Sequence, residues 1–196
     1  MEDQEGYIKD KVTINMLWAN VLSVLVLISS AVVFGSLYYL VWRAKVDFSA
    51  TFEVLSNNPL LVFLVMCLCL IIGMVAHELI HGIVWAMFAK NGFKSIRFGV
   101  VWKMLTPYCH CSEPLAVKQY ALGGIMPTIL LGIIPALLAI AIGSVGLLAF
   151  GVFFITAGSG DLLVIYALRH ERGDALVEDH PSEVGYFVYR PVESPH

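Results

Sequence analysis

Long apolar stretches alternate along the chain with short polar or glycine-rich breaks, and their lengths set the first expectation. A helix needs about 20 apolar residues to cross the hydrocarbon of a bilayer. Residues 14–42 satisfy this between Lys11 and Arg43, with Trp18, Tyr38, Tyr39 and Trp42 near the ends, where interfacial aromatics belong. Residues 58–89 satisfy it next, between Ser56-Asn57-Asn58 and Lys90-Asn91-Gly92. The stretch 121–168 is too long for one crossing, and Gly143-Ser144-Val145-Gly146 divides it into two spans around a tight turn.

The segment 90–120 follows another pattern. Residues 96–102 and 106–111 are short, β-branched or aromatic and bounded by turn formers, which predicts a small hairpin. Residues 113–120 read as a short interfacial helix leading into the third span. The expected fold is therefore an all-α integral membrane protein with four transmembrane helices and a small β-hairpin between the second and third. Its parts are an N-terminal cytosolic segment (1–13), a transmembrane domain (14–168) that includes the hairpin and interfacial segment (90–120), and a C-terminal cytosolic tail (169–196). The chain shows no internal repeat.

Composition agrees with a membrane setting. Hydrophobic residues make up 59% of the 196 and charged residues 14%, against about 45–50% and about 25% in ordinary globular chains. A soluble domain of this size could not bury that much apolar surface. A net charge of −3 without a basic run argues against a nucleic-acid partner. The first apolar stretch far exceeds the roughly 7–15 residues of a signal-peptide core and follows the acidic Glu2, Asp3 and Glu5, so it reads as an uncleaved span. With four spans, the side holding both termini and the 90–120 segment carries ten Lys and Arg residues, and the other side only Arg43 and Lys45. Positive residues collect on the cytosolic side, so both termini are expected there. The four cysteines form two Cys-x-Cys pairs, Cys67/Cys69 and Cys109/Cys111, and the latter would remain thiols in a reducing compartment.

The few ionisable residues inside the spans mark the chemistry. Of 27 Asp, Glu, Lys and Arg residues only Glu78 and Asp161 lie well inside, and of six histidines only His77 and His81. A charge at membrane depth costs about 2.5–3.5 kcal/mol on insertion scales, so such residues are functional by default. Three of the four form one motif, His77-Glu78-Leu79-Ile80-His81. Residues i and i+4 share a helix face, so His77 and His81 can offer ring nitrogens to one metal ion. Glu78 is turned by roughly 100° and reaches the ion's open position, where it can take a proton from water and pass it to a leaving amine. This pattern predicts a catalytic Zn2+ with Glu78 as the catalytic residue.

Such a site needs a third protein ligand. Asp161 is one candidate. It lies eight residues before Arg169, as His81 lies eight before Ala89, so both stand about 12 Å inside the same edge at 1.5 Å per residue. The alternative role for Asp161 is a helix cap after Gly158-Ser159-Gly160. His110, between Cys109 and Cys111, is a rival ligand. Pro127 and Pro135 interrupt the third span and free backbone groups that must face protein or a wet cavity. The edge of the 96–102 strand is a candidate for pairing with an extended substrate.

Four elements resemble the putative zincin peptidase family, multi-pass bacterial membrane zinc metalloproteases related to site-2 proteases. They are the stretch from Ala76 to Gly82, Tyr108-Cys109-His110-Cys111-Ser112-Glu113-Pro114-Leu115, the run from Pro127 to Pro135, and Gly158-Ser159-Gly160-Asp161. The resemblance implies His77, His81 and Asp161 as metal ligands, Glu78 as catalytic base, and hydrolysis of peptide bonds within or beside the membrane. Expected partners are membrane lipid and a peptide or transmembrane protein substrate. Two other functions fit the same residues: a non-proteolytic membrane zinc-binding regulator, and a zinc hydrolase of non-peptide substrates.

Overall fold

In a computed structural model the structure describes residues 7–45, 57–102, 106–180 and 185–192. The acidic Glu2, Asp3 and Glu5, Ser56, Lys103, and tail residues 181–184 and 193–196 lie outside the described residues. Helix α1 (Met16–Trp42) begins where the Asn15 side chain accepts the Leu17 N–H at 2.8 Å, a side-chain cap for an otherwise orphaned donor. Helix α2 (Pro59–Ala86) starts on a proline, whose missing N–H is harmless in a first turn. Both helices leave most of their apolar side chains exposed, among them Leu17, Val32, Leu60 and Ile72. Apolar surface of that extent is stable in lipid rather than in water.

The third apolar stretch forms α3 (Val117–Pro127), a π-helical stretch (Thr128–Ile133) and α4 (Ile134–Ile142). Pro127 and Pro135 lack N–H groups, so the regular i→i−4 ladder fails on either side of the π-helical stretch. Gly143 then closes the turn at φ 78°, a left-handed conformation that suits glycine. Helices α5 (Val145–Ala157) and α6 (Ser159–Leu168) follow, bent by 41° at Gly158. Among the described residues, three helical segments are thus long and apolar enough to cross a membrane, or four if α5 and α6 count as one broken span. Helix α5 crosses the π-helical stretch closely: a Cβ on Gly151 would lie 2.8 Å from the Gly132 carbonyl oxygen and 2.7 Å from the Ala136 nitrogen. Small residues permit that approach where lipid offers no hydrophobic drive. Helix α1 is fixed to this unit at both ends, by Tyr38 and Trp42 donating to the carbonyls of Gly143 and Ile140, and by Ser23 Oγ 2.5 Å from Ser159 Oγ.

Two antiparallel sheets complete the fold. Strands β2 (Ile96–Val101) and β3 (Thr106–Cys111) pair in a hairpin between α2 and α3, with Phe98 opposite Cys109 and Val100 opposite Pro107. The second sheet has the order β1-β6-β5-β4, from β1 (Tyr7–Thr13), β4 (Leu115–Ala116), β5 (Leu176–Asp179) and β6 (Gly185–Pro191). This sheet departs from the all-α expectation, since the two ends of the chain pair with each other rather than standing as separate segments. It also corrects the interfacial helix expected over 113–120. Leu115 and Ala116 pair with Val177 and Leu176, and the helix starts only at Val117. The buried core lies here, at the joint between sheet and helix ends, and includes Trp85, Leu115, Tyr120, Leu168, Val177 and Val188.

The loop after α2 is pinned to the loop after β3 by Glu113. Its carboxylate accepts from Ser95 Oγ and the Lys90 N–H, each at 2.7 Å, and from the Asn91 amide. The Ser95 hydroxyl, ahead of the Asn91 and Lys90 donors, holds the Glu113 carboxyl below the usual glutamate range. A depressed native value means this pinning is complete above the unfolded value, about 4.3, and fades as pH falls through the lower native one. Glu113→Ala should therefore open the Lys90 amide to hydrogen exchange at neutral pH, an opening the wild type reaches only in acid. Equal protection of that amide in both proteins would contradict the assignment.

Candidate metal centre

His77 and His81 stand one turn apart on α2, both buried, with ring centroids 4.8 Å apart and the planes nearly perpendicular. Asp161 enters from the first turn of α6. Its Oδ2 lies 3.2 Å from His77 Nε2 and its Oδ1 3.5 Å from His81 Nε2. One ligand atom from each residue lies within 4.8 Å of the others, so the three side chains can share a metal ion. Two ligands of a tetrahedral ion at about 2.0–2.1 Å must stand roughly 3.3–3.4 Å apart. The two Nε2–oxygen separations, one to each carboxylate oxygen, are close to that value, and two imidazoles with a carboxylate suit a zinc ion. The cap expected as the alternative for Asp161 does not form, since its carboxylate points at the imidazoles.

The orientation of His81 has a legible cause. Its Nδ1 lies 2.9 Å from the Gly123 carbonyl oxygen, which leaves Nε2 free to ligate. That carbonyl is available because the residue four positions on is Pro127, which has no N–H to donate. The freed backbone group expected near Pro127 thus faces protein, at the candidate centre itself. Gly123 is also required sterically, since a Cβ there would strike the Trp85 indole. Trp85 stacks on His81 with centroids 5.1 Å apart and planes at 15°. His77 Nδ1, by contrast, is buried with no partner among the described residues.

Glu78 is half-buried and reaches the backbone of Cys109 in β3. It opens, with His77, onto a cleft of ≈ 130 Å³ whose other walls are Met74, Pro107, Phe154 and Ala157. The hairpin strand beside Glu78 is therefore β3. Ile96 and Phe98 of β2, the strand expected to offer its edge to substrate, pack against α2 at Gly82, and β2 pairs with β3 along one edge. His110 does not join the candidate centre, because alternation along β3 turns it to the opposite face from Cys109 and Cys111. It faces Asp179 instead, with Nδ1 3.8 Å from Oδ2. All four cysteines are free. Burial, ahead of neighbouring carboxylates, pushes the Cys109 thiol far up and the Cys111 thiol up to about 11, so both stay protonated at neutral pH. Trp85, Tyr120, Gly123 and Asp179 carried no sequence expectation, although Trp85 follows His81 by four residues and so shares its helix face.

A family model described as "Putative zincin peptidase" matches residues 70–176. The chain belongs to that family. The match spans more than half the chain and contains the His77 to His81 motif, the hairpin and Asp161. No curated protein and no solved structure matches the chain.

Proposed function

We propose that the chain is an intramembrane zinc metalloprotease that cleaves a peptide bond near the cytosolic face of the bilayer. The observation that carries this reading is the meeting of Asp161 with His77 and His81 from separate helices, inside segments apolar enough to lie in lipid. His77 Nε2, His81 Nε2 and the Asp161 carboxylate would hold the ion. When bound, zinc supplies a Lewis acid that polarises a peptide carbonyl and acidifies water. Glu78, beside these ligands and open to the cleft, accepts the proton of the attacking water and delivers it to the departing amine nitrogen. In this reading α5 and α6 form one broken span, giving four crossings. The lysine and arginine bias then puts both chain ends and the hairpin on the cytosolic side.

The cleft wall bears on substrate choice. Met74, Pro107, Phe154 and Ala157 offer apolar surface next to Glu78, so the residue beside the scissile bond should be apolar. Ala157→Phe, which narrows the cleft without touching a proposed ligand, should lower cleavage of a membrane-embedded peptide with leucine at that position by about tenfold or more. Metal content should not change. Unaltered cleavage by the variant would remove the cleft from the mechanism.

A further inference from the structure

The ring that stacks on His81 belongs to a longer series, which ends outside the apolar spans on a carboxylate that the proposed reaction does not use. Asp179 closes β5 in the sheet built from the chain ends. It accepts from the Tyr120 hydroxyl and, at 2.9 Å, from the Cys111 N–H, and it faces His110 Nδ1 at 3.8 Å. Tyr120 continues the series in two ways. Its ring stacks on Trp85, with centroids 5.2 Å apart and planes at 19°, and its carbonyl accepts Trp85 Nε1 at 3.0 Å. Trp85 in turn lies on His81, and Gly123, one turn after Tyr120, accepts the bond from His81 Nδ1. Both features that set the His81 ring, the indole on its face and the carbonyl at its Nδ1, are thus fixed by the first turns of α3. A tyrosine–carboxylate bond ties those turns to the sheet.

We propose that Tyr120 and Asp179 are positioning residues for the metal centre, through which the sheet formed by the two chain ends sets the ring orientation of His81. The inference rests on the reading of His77, His81 and Asp161 as ligands, and it extends that reading to the sheet outside the apolar spans. Groups bonded directly to a ligating imidazole hold its tautomer and direction, and losing them commonly lowers metal affinity by about 10–100-fold. Tyr120 and Asp179 stand one layer further out, behind Trp85 and the Gly123 carbonyl, so a smaller loss is expected for them. The same sheet supplies an internal control. Tyr189 donates to Glu178 at 2.5 Å, a bond of the same chemical type that lies outside the Tyr120–Trp85–His81 series.

The test uses the full chain in detergent micelles, with Co2+ as the probe. Affinity and the visible ligand-field spectrum would be measured for wild type, Tyr120→Phe, Asp179→Ala and Tyr189→Phe, with folding checked by circular dichroism. Tyr120→Phe removes a single oxygen, which keeps the test informative if Asp179→Ala fails to fold. The expected result is a loss of affinity of up to about tenfold and shifted bands for Tyr120→Phe and for folded Asp179→Ala, with Tyr189→Phe matching wild type. Wild-type affinity and spectrum in Tyr120→Phe would overturn the proposal, as would an equal loss in Tyr189→Phe. Failure of the wild type to bind Co2+ would overturn the ligand reading beneath it, a distinct outcome.

Discussion

Replacing His81 by alanine should take the protein from one tightly held zinc per chain to essentially none, and Asp161→Ala should do the same. Each change leaves two ligands where a catalytic zinc site needs three. The apparent binding free energy of structural zinc sites, about 10–16 kcal/mol near neutral pH, shows how much a complete ligand set can contribute. The remaining groups would also be worse placed. Without the imidazole, the Asp161 carboxylate keeps only His77 of its two histidine partners, having lost the one at 3.5 Å. His110→Ala is the control. His110 faces Asp179 rather than the other ligands, so its loss should leave zinc content near wild type. Elemental analysis of protein purified without chelators checks all three, and loss of zinc in the His110 variant would move the centre to the hairpin.

Glu78→Gln should have the opposite signature, keeping the metal and losing the reaction. The amide has nearly the carboxylate's shape and can still accept from the Cys109 backbone, so the fold and the cleft should persist. It cannot accept a proton at neutral pH. General acid–base catalysis contributes about 10²–10⁴ in rate, and cleavage of a membrane-embedded peptide should fall by that much at unchanged zinc content. Turnover within a few-fold of wild type would assign the proton transfer to another group. A variant that lost both metal and cleavage would make Glu78 part of the metal's support rather than its catalytic partner.

The candidate centre was legible because a membrane makes ionisable residues conspicuous. His77, Glu78, His81 and Asp161 are the ones well inside long apolar stretches, and the constant rise of a helix lets depth be counted in residues. That count places His81 and Asp161 on one level from the sequence alone. The sheet was harder to read. Tyr7–Thr13 pairs with Gly185–Pro191 across nearly the whole chain, and such non-local pairing leaves no local period. Its residues are mostly polar or charged on the exposed side of β1, and β4 is only two residues long. The interfacial helix expected at 113–120 forms only from Val117, for the same reason: pairing with Val177 outweighed local preference at Leu115. Pro127 was visible as a break. That the carbonyl it frees belongs to Gly123 and accepts from His81 required the third helix to be set beside the second. Tyr120 and Asp179 act through rings and bonds that meet only in the assembled fold.

X-ray absorption at the zinc edge of the wild-type protein tests the coordination most directly. The account predicts one zinc per chain with only nitrogen and oxygen neighbours, at about 2.0–2.2 Å, including the multiple-scattering pattern of two imidazoles. A sulfur shell at about 2.3 Å would assign the ion to Cys109 and Cys111 and contradict it.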